Sequence, residues 1–172
     1  FIGKSYPKIK SNHKQIFSAQ TAYQITSLLE GVVKRGTGKK LRDLNLNLAG
    51  KTGTTNKNTD AWFIGFTSNL VIGVYVGMDN PKPLGKFETG SKTALPIFKK
   101  FIEKAIKKYD ARPFKVAEGI IMMVVDPVTG QKAKFSSKNT ILEAYKSKNV
   151  VDGIILYSNN NRLDSNNILK FY

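Results

Sequence analysis

The stretch Ala49-Gly50-Lys51-Thr52-Gly53-Thr54-Thr55, AGKTGTT, admits two incompatible structures. As Gly-Lys-Thr it closes a phosphate-binding loop and opens a helix; as Lys-Thr-Gly it is a strand bordering an acyl-transfer site. A phosphate loop requires a glycine five positions before Gly50 to open the turn, and then a helix after the lysine whose first amides hold the phosphates. Asn45 stands at the first place and Gly53-Thr54-Thr55-Asn56 at the second, poor material for a first helical turn. Threonine favours extended backbone and the two glycines permit close backbone approach, so Leu48 to Thr55 is expected to be a strand.

Upstream, Ala22, Ile25, Leu28, Leu29, Val32 and Val33 recur at three and four, the pattern of a core-facing helix stripe. Ser18 is the expected N-cap, Lys34 and Arg35 suit the negative end, and Gly36-Thr37-Gly38 stops the helix, leaving Gly36 to Leu44 as a loop. Downstream, Ala61 to Phe66 and Leu70 to Val76 are apolar runs separated by Thr67-Ser68-Asn69, which predicts a hairpin. Their near-continuous hydrophobicity predicts a sheet covered on both faces. A Pro/Gly-rich loop, Asp79 to Gly90, leads to a second amphipathic helix over 93–109 that carries Pro96, Ile97, Phe98, Phe101, Ile102, Ala105, Ile106 and Tyr109. Its opposite face, Lys99, Lys100, Lys104, Lys107 and Lys108, reads as solvated surface. Pro113 marks a boundary between residues 1–112 and an extension, 113–172. Within the extension, Ile120 to Val125, the turn Asp126-Pro127-Val128-Thr129-Gly130 and Gln131 to Phe135 predict a further hairpin, and the Asn-rich end from Ser158 reads as loosely held.

The 172 residues are 41% hydrophobic, enough for one domain with a small appendage. There is no cysteine, so disulfides, thiol nucleophiles and Cys-based metal sites are excluded. His13 is the only histidine and lies in a polar, Lys-rich opening, which leaves neither a Ser-His-Asp triad nor a multi-histidine metal site to build; no metal or cofactor is expected. The formal charge of +16 suits an anionic partner. Without basic runs interleaved with aromatics it does not point to nucleic acid. No apolar run approaches the roughly 20 residues of a spanning helix.

The segments Ser18 to Tyr23, Leu28 to Val33, Arg35-Gly36-Thr37-Gly38, Ala49 to Asn56, Asp60 to Phe66, Val74 to Gly77, Asp79-Asn80-Pro81, Glu88-Thr89-Gly90 and Ala94 to Phe98 together closely resemble the transpeptidase domain of class A penicillin-binding proteins of the 1A type. The resemblance covers residues 16–110 and thins afterwards. It implies a peptidoglycan D,D-transpeptidase in which a serine, opening a helix in a Ser-x-x-Lys motif, is acylated by the D-Ala-D-Ala end of a stem peptide. An amine of a neighbouring stem then takes the acyl group, and β-lactam antibiotics stall the cycle. On this resemblance Lys51 keeps the site positive and bonds the serine of a Ser-x-Asn motif. The Thr52 and Thr54 hydroxyls hold the substrate carboxylate, the Thr54 N–H is half of the oxyanion hole, Gly53 leaves the strand edge open, and Thr55 completes the substrate wall.

The sequence departs from the family at the nucleophile. Ser5-Tyr6-Pro7-Lys8 and Ser11-Asn12-His13-Lys14 satisfy Ser-x-x-Lys only formally, since the family's serine lies far upstream of its Lys-Thr-Gly and neither match opens an apolar helix. Ser-x-Asn occurs only after Lys-Thr-Gly, as at Ser137, Ser158 and Ser165, the wrong order. The expectation is an α+β piece of a longer enzyme: an antiparallel sheet edge made by the Lys-Thr-Gly strand and the following hairpin, packed by the 18–35 and 93–109 helices, with a small β-rich extension. The N-terminal part of the parent chain, with membrane anchor, glycosyltransferase domain and catalytic serine, would then be its partner, on the periplasmic face of a bacterial inner membrane. Two other readings stay open: a non-catalytic basic module that docks cell-wall glycan or a partner protein, and a piece of a serine β-lactamase.

Overall fold

The computed structural model describes residues 14–106, 111–134, 136–151 and 154–155. Helix α1, Ala19–Arg35, begins where Ser18 accepts a hydrogen bond from the Thr21 N–H (3.2 Å) and ends where the Gly36 N–H returns to the Val32 carbonyl (3.1 Å). A 3-10 turn over Lys39–Leu44, where a plain loop was expected, carries Leu41 into the core. Strands β1 (Ala49–Thr54), β2 (Ala61–Phe66) and β3 (Val71–Val76) then form an antiparallel sheet in the order β1-β2-β3. The AGKTGTT stretch is therefore a strand, and after it comes only a single 3-10 turn, Asn56–Asn58, with Lys57 in the left-handed region.

Helix α2, Ala94–Ala105, covers one face of this sheet. Side chains alternate between faces, so Ala61, Phe63 and Gly65 of β2 share that face; Phe98 of α2 meets the Phe63 ring edge-on at 4.8 Å. Leu95, Phe98 and Ile102 join Val33, Leu41, Leu48, Ala61 and Phe63 in one core. Lys100 and Lys104 are exposed as expected, whereas Lys99 pairs with Asp43 (2.5 Å).

The other face differs from expectation. Trp62, Ile64 and Tyr75 are 40%, 49% and 50% exposed, so the described residues cover this sheet on one face only. The apolar runs of β2 and β3 thus include residues with no further layer of the described chain over them. The α1 stripe is likewise only partly used: Val33 is buried but Ile25 and Leu28 are exposed. The helix instead turns a small, polar face toward the extension. There Gln20 donates to the Glu118 carbonyl (2.9 Å), Gln24 to the Ala144 carbonyl (3.0 Å), and Arg35 pairs with Glu143.

In the extension β4 (Ile120–Val125) pairs not with Gln131 to Phe135 but with β5, Ile141–Lys146. The predicted turn is present: the Asp126 carboxylate accepts from the Val128 and Thr129 N–H groups (2.8 and 2.9 Å), and Gly130 takes φ +69°. Beyond it the pairing ends at one bridge, Val125 to Lys132. β5 brings Ile141 and Tyr145 against Met123 and Val125, an apolar contact that Lys132 and Lys134 do not offer. A short pair, β6 (Val150–Val151) and β7 (Ile154–Ile155), follows. The two Ser-x-x-Lys serines, His13, Phe135, and the Ser158 and Ser165 motifs lie outside the described residues.

Candidate active site

Among the described residues strand β1 pairs on one side only, with β2, so it is the edge strand of their sheet. The Thr55 N–H donates to the Asp60 carbonyl across the β1–β2 pair (3.1 Å). Backbone groups alternate between the two edges of a strand, so the Lys51 and Gly53 N–H groups also point to β2, while those of Thr52 and Thr54 point to the free edge. Side chains alternate between the faces in the same way. Lys51 and Gly53 lie on the open face beside Ile64 and Trp62, their register partners, and Thr52 and Thr54 lie on the face that α2 covers.

Each site residue can then be placed. Lys51 is exposed; its Nζ donates to the Thr52 carbonyl (2.9 Å), and among the described residues no carboxylate forms an ion pair with it. Its ammonium is a cation on an apolar, aromatic surface with no fixed anion, an arrangement suited to receiving an anionic ligand. The Thr52 hydroxyl is hydrogen-bonded to that of Thr37 (3.0 Å). The exposed Thr54 hydroxyl accepts from the Gly90 N–H (3.1 Å). A side chain added at Gly53 would meet the Trp62 Cβ at 3.1 Å, so this glycine allows the indole to lie close against the strand as well as keeping the edge low.

Thr55 stands apart from the other four. Its hydroxyl accepts from the Asp60 N–H (2.8 Å) and approaches the Thr59 hydroxyl (2.8 Å) and Asp60 Oδ2 (3.2 Å). Asp60 Oδ1 in turn accepts from the Tyr75 hydroxyl (2.9 Å). This network ties the exit of β1 to β2 and β3. The Tyr75 bond, with support from Thr59 and Thr55, holds the Asp60 carboxyl below the usual carboxylate range, and the same bond pushes the Tyr75 phenol up.

Thr37, Asp60, Tyr75 and Gly90 were not singled out as site residues from the sequence. All four do fall inside the family-like segments Arg35-Gly36-Thr37-Gly38, Asp60 to Phe66, Val74 to Gly77 and Glu88-Thr89-Gly90. Two Ser-x-Asn matches are described: Ser137 is taken up in a turn of the extension with Lys134, Ser147 donates its N–H to the Gly119 carbonyl (2.9 Å), and neither has a bond to Lys51. Among the described residues no group of three or more His, Cys, Asp or Glu side chains could hold a metal.

The family model for the penicillin binding protein transpeptidase domain matches residues 3–103. The chain belongs to this family. It is 44% identical over 149 residues, 87% of its length, to penicillin-binding protein 1A of Rickettsia prowazekii. It is 40% identical over 136 residues, 78% of its length, to penicillin-binding protein 1A of Pseudomonas aeruginosa. The crystal structure of penicillin-binding protein 1A from Haemophilus influenzae superposes on 77% of the chain with a TM-score of 0.68 at 28% identity, and the match covers 21% of that structure's chain. The chain spans only 18% and 16% of the length of the two curated relatives, so it is a piece of such a transpeptidase. A match of 149 residues is longer than residues 1–112 and therefore reaches into the extension. The docking-module and β-lactamase readings are left without an observation of their own.

Proposed function

We propose that this chain supplies the Lys-Thr-Gly wall of the acyl-transfer site of a peptidoglycan D,D-transpeptidase, and that a serine elsewhere in the polypeptide is the nucleophile. The serine oxygen attacks the carbonyl between the two terminal D-alanines of a stem peptide, the last D-alanine leaves, and an amine of a second stem takes the acyl group. A β-lactam enters the same cycle and remains as the acyl-enzyme. Lys51 keeps the site positive, the Thr52 and Thr54 hydroxyls bind the leaving residue's carboxylate, and the Thr54 N–H donates to the developing oxyanion. Thr55 serves the site indirectly, by holding Asp60. The enzyme would work at the periplasmic face of an inner membrane; among the described residues no helix is long and apolar enough to cross one.

The observation that carries this reading is that Lys51 to Thr54 form an edge strand with the Thr54 N–H on the free side. An oxyanion donor has to be a backbone N–H that no neighbouring strand consumes. The test is the second-order rate of acylation by a labelled penicillin in the full-length protein. Thr52→Val removes one hydrogen bond to an anion, an expected loss of about 1.5 to 3 kcal/mol in acylation efficiency. Lys51→Ala should cost at least as much, and near-normal acylation in Lys51→Ala would overturn the assignment.

A further inference from the structure

We infer that Gly90 is a positioning residue for the Thr54 hydroxyl: its N–H occupies an acceptor lone pair on that oxygen, so that the hydroxyl proton is left to the substrate carboxylate. The inference rests on the transpeptidase reading and adds to it a residue 36 positions downstream of the strand it serves.

A hydroxyl has one proton to give and two lone pairs to receive. With nothing fixing it, the Thr54 hydroxyl rotates, and its proton is as free to point into the protein as toward a ligand. The Gly90 N–H, 3.1 Å away, removes that freedom on the protein side, because an N–H can only donate. Among the described residues the Thr54 proton has no protein acceptor, and its side chain is exposed. A carboxylate arriving at the edge of β1 then meets a hydroxyl already turned to donate, which is the condition for a strong charge-assisted bond.

Gly90 itself is held from both sides. Its carbonyl accepts from the Leu95 N–H (2.9 Å), and the Thr89 carbonyl accepts from the Lys92 and Thr93 N–H groups (both 2.9 Å), so the turn is continuous with the start of α2. Leu95 is fully buried, which anchors that end of the helix in the core. The turn also lies flat on the β1–β2 ladder. A Cβ at position 90 would fall 2.6 Å from the Gly53 carbonyl oxygen and closer still to that of Trp62. Both are backbone atoms of a register pair, so they cannot give way without distorting the strand that carries the site. Only glycine brings an N–H to this place. The core packing of α2 thus fixes Gly90, and Gly90 fixes the hydroxyl.

The test compares benzylpenicillin, which has a free carboxylate, with its methyl ester, in the full-length protein. The readout is the ratio of the two acylation efficiencies, which a lesion that merely loosens the fold lowers alike and leaves unchanged. Gly90→Ala should reduce that ratio by about tenfold or more, the factor expected for one hydrogen bond to an anion. A ratio held at the wild-type value while both rates fall together would overturn the inference. Should Gly90→Ala not fold, Thr54→Ser decides. Serine keeps the oxygen but loses the β-branching that restricts threonine, so if Gly90 does the fixing both rates shift while their ratio stays within about twofold of wild type. A tenfold fall in the Thr54→Ser ratio would instead assign the fixing to the threonine methyl and sink the role of Gly90. Thr54→Val separates this inference from the reading beneath it. A collapsed ratio in Thr54→Val with an unchanged one in Gly90→Ala removes Gly90 alone; an unchanged ratio in Thr54→Val removes Thr54 from the carboxylate site altogether.

Discussion

Asp60 holds the end of β1 through Thr55, stands at the start of β2, and reaches β3 through Tyr75. Its folded pKa lies below its unfolded value, so its contribution to stability is complete above the ordinary carboxylate range and is lost as pH falls through the folded value, in acid below about pH 4. Asp60→Asn should therefore lower Tm at pH 7, and the deficit relative to wild type should shrink as pH is taken down toward about 3. A deficit that stays constant across that range would mean that the ionised carboxylate is not what the network uses. At this scale the motif made Lys51, Thr52, Gly53 and Thr54 readable as one strand, and their order along it fixes which groups reach the edge. The residues that support them were not readable. Thr37 and Gly90 meet Thr52 and Thr54 across 15 and 36 residues of chain, and only the folded path of α1 and α2 closes those separations.

Helix α2 is where the site's geometry meets the core. Phe98 lies against Phe63 and over Gly65, where an added Cβ would sit 2.6 Å from the Phe98 ring. Phe98→Ala would leave a cavity beneath the sheet and should destabilise by about 3 to 5 kcal/mol. Lys100→Ala, on the exposed side of the same helix, should stay within about 0.5 kcal/mol, and equilibrium denaturation of the two variants checks the contrast. Equal effects would mean that α2 is not anchored as described. The elements themselves were legible: β2 begins and ends where its apolar run does, and α1 starts at the Ser18 cap. What covers an element was less so. Trp62, Ile64 and Tyr75 read as buried because a run of apolar residues does not say whether both neighbouring layers belong to the chain in hand. The pairing of β4 with β5 escaped for a related reason, since a turn at Asp126 to Gly130 predicts a reversal but not which later segment has apolar side chains to complete it.

Among the described residues, the open sheet face, the exposed Ile25 and Leu28 and a Lys51 without an acidic partner fit the proposed wall of a site. The chain's 18% and 16% shares of its relatives' lengths agree with that description. The charge of +16 suits an anionic partner without choosing one; the proposed choice rests on the Lys-Thr-Gly strand. The account's central claim is that this wall assists a serine it does not contain. The most direct test is to label the full-length protein and the 172-residue chain in parallel with benzylpenicillin and to map any adduct by peptide mass spectrometry. The account predicts an acyl-serine in the full-length protein at a position outside these 172 residues, its formation slowed in Lys51→Ala, and no adduct on the isolated chain. An adduct on Ser5, Ser11 or any other serine of this chain would contradict it.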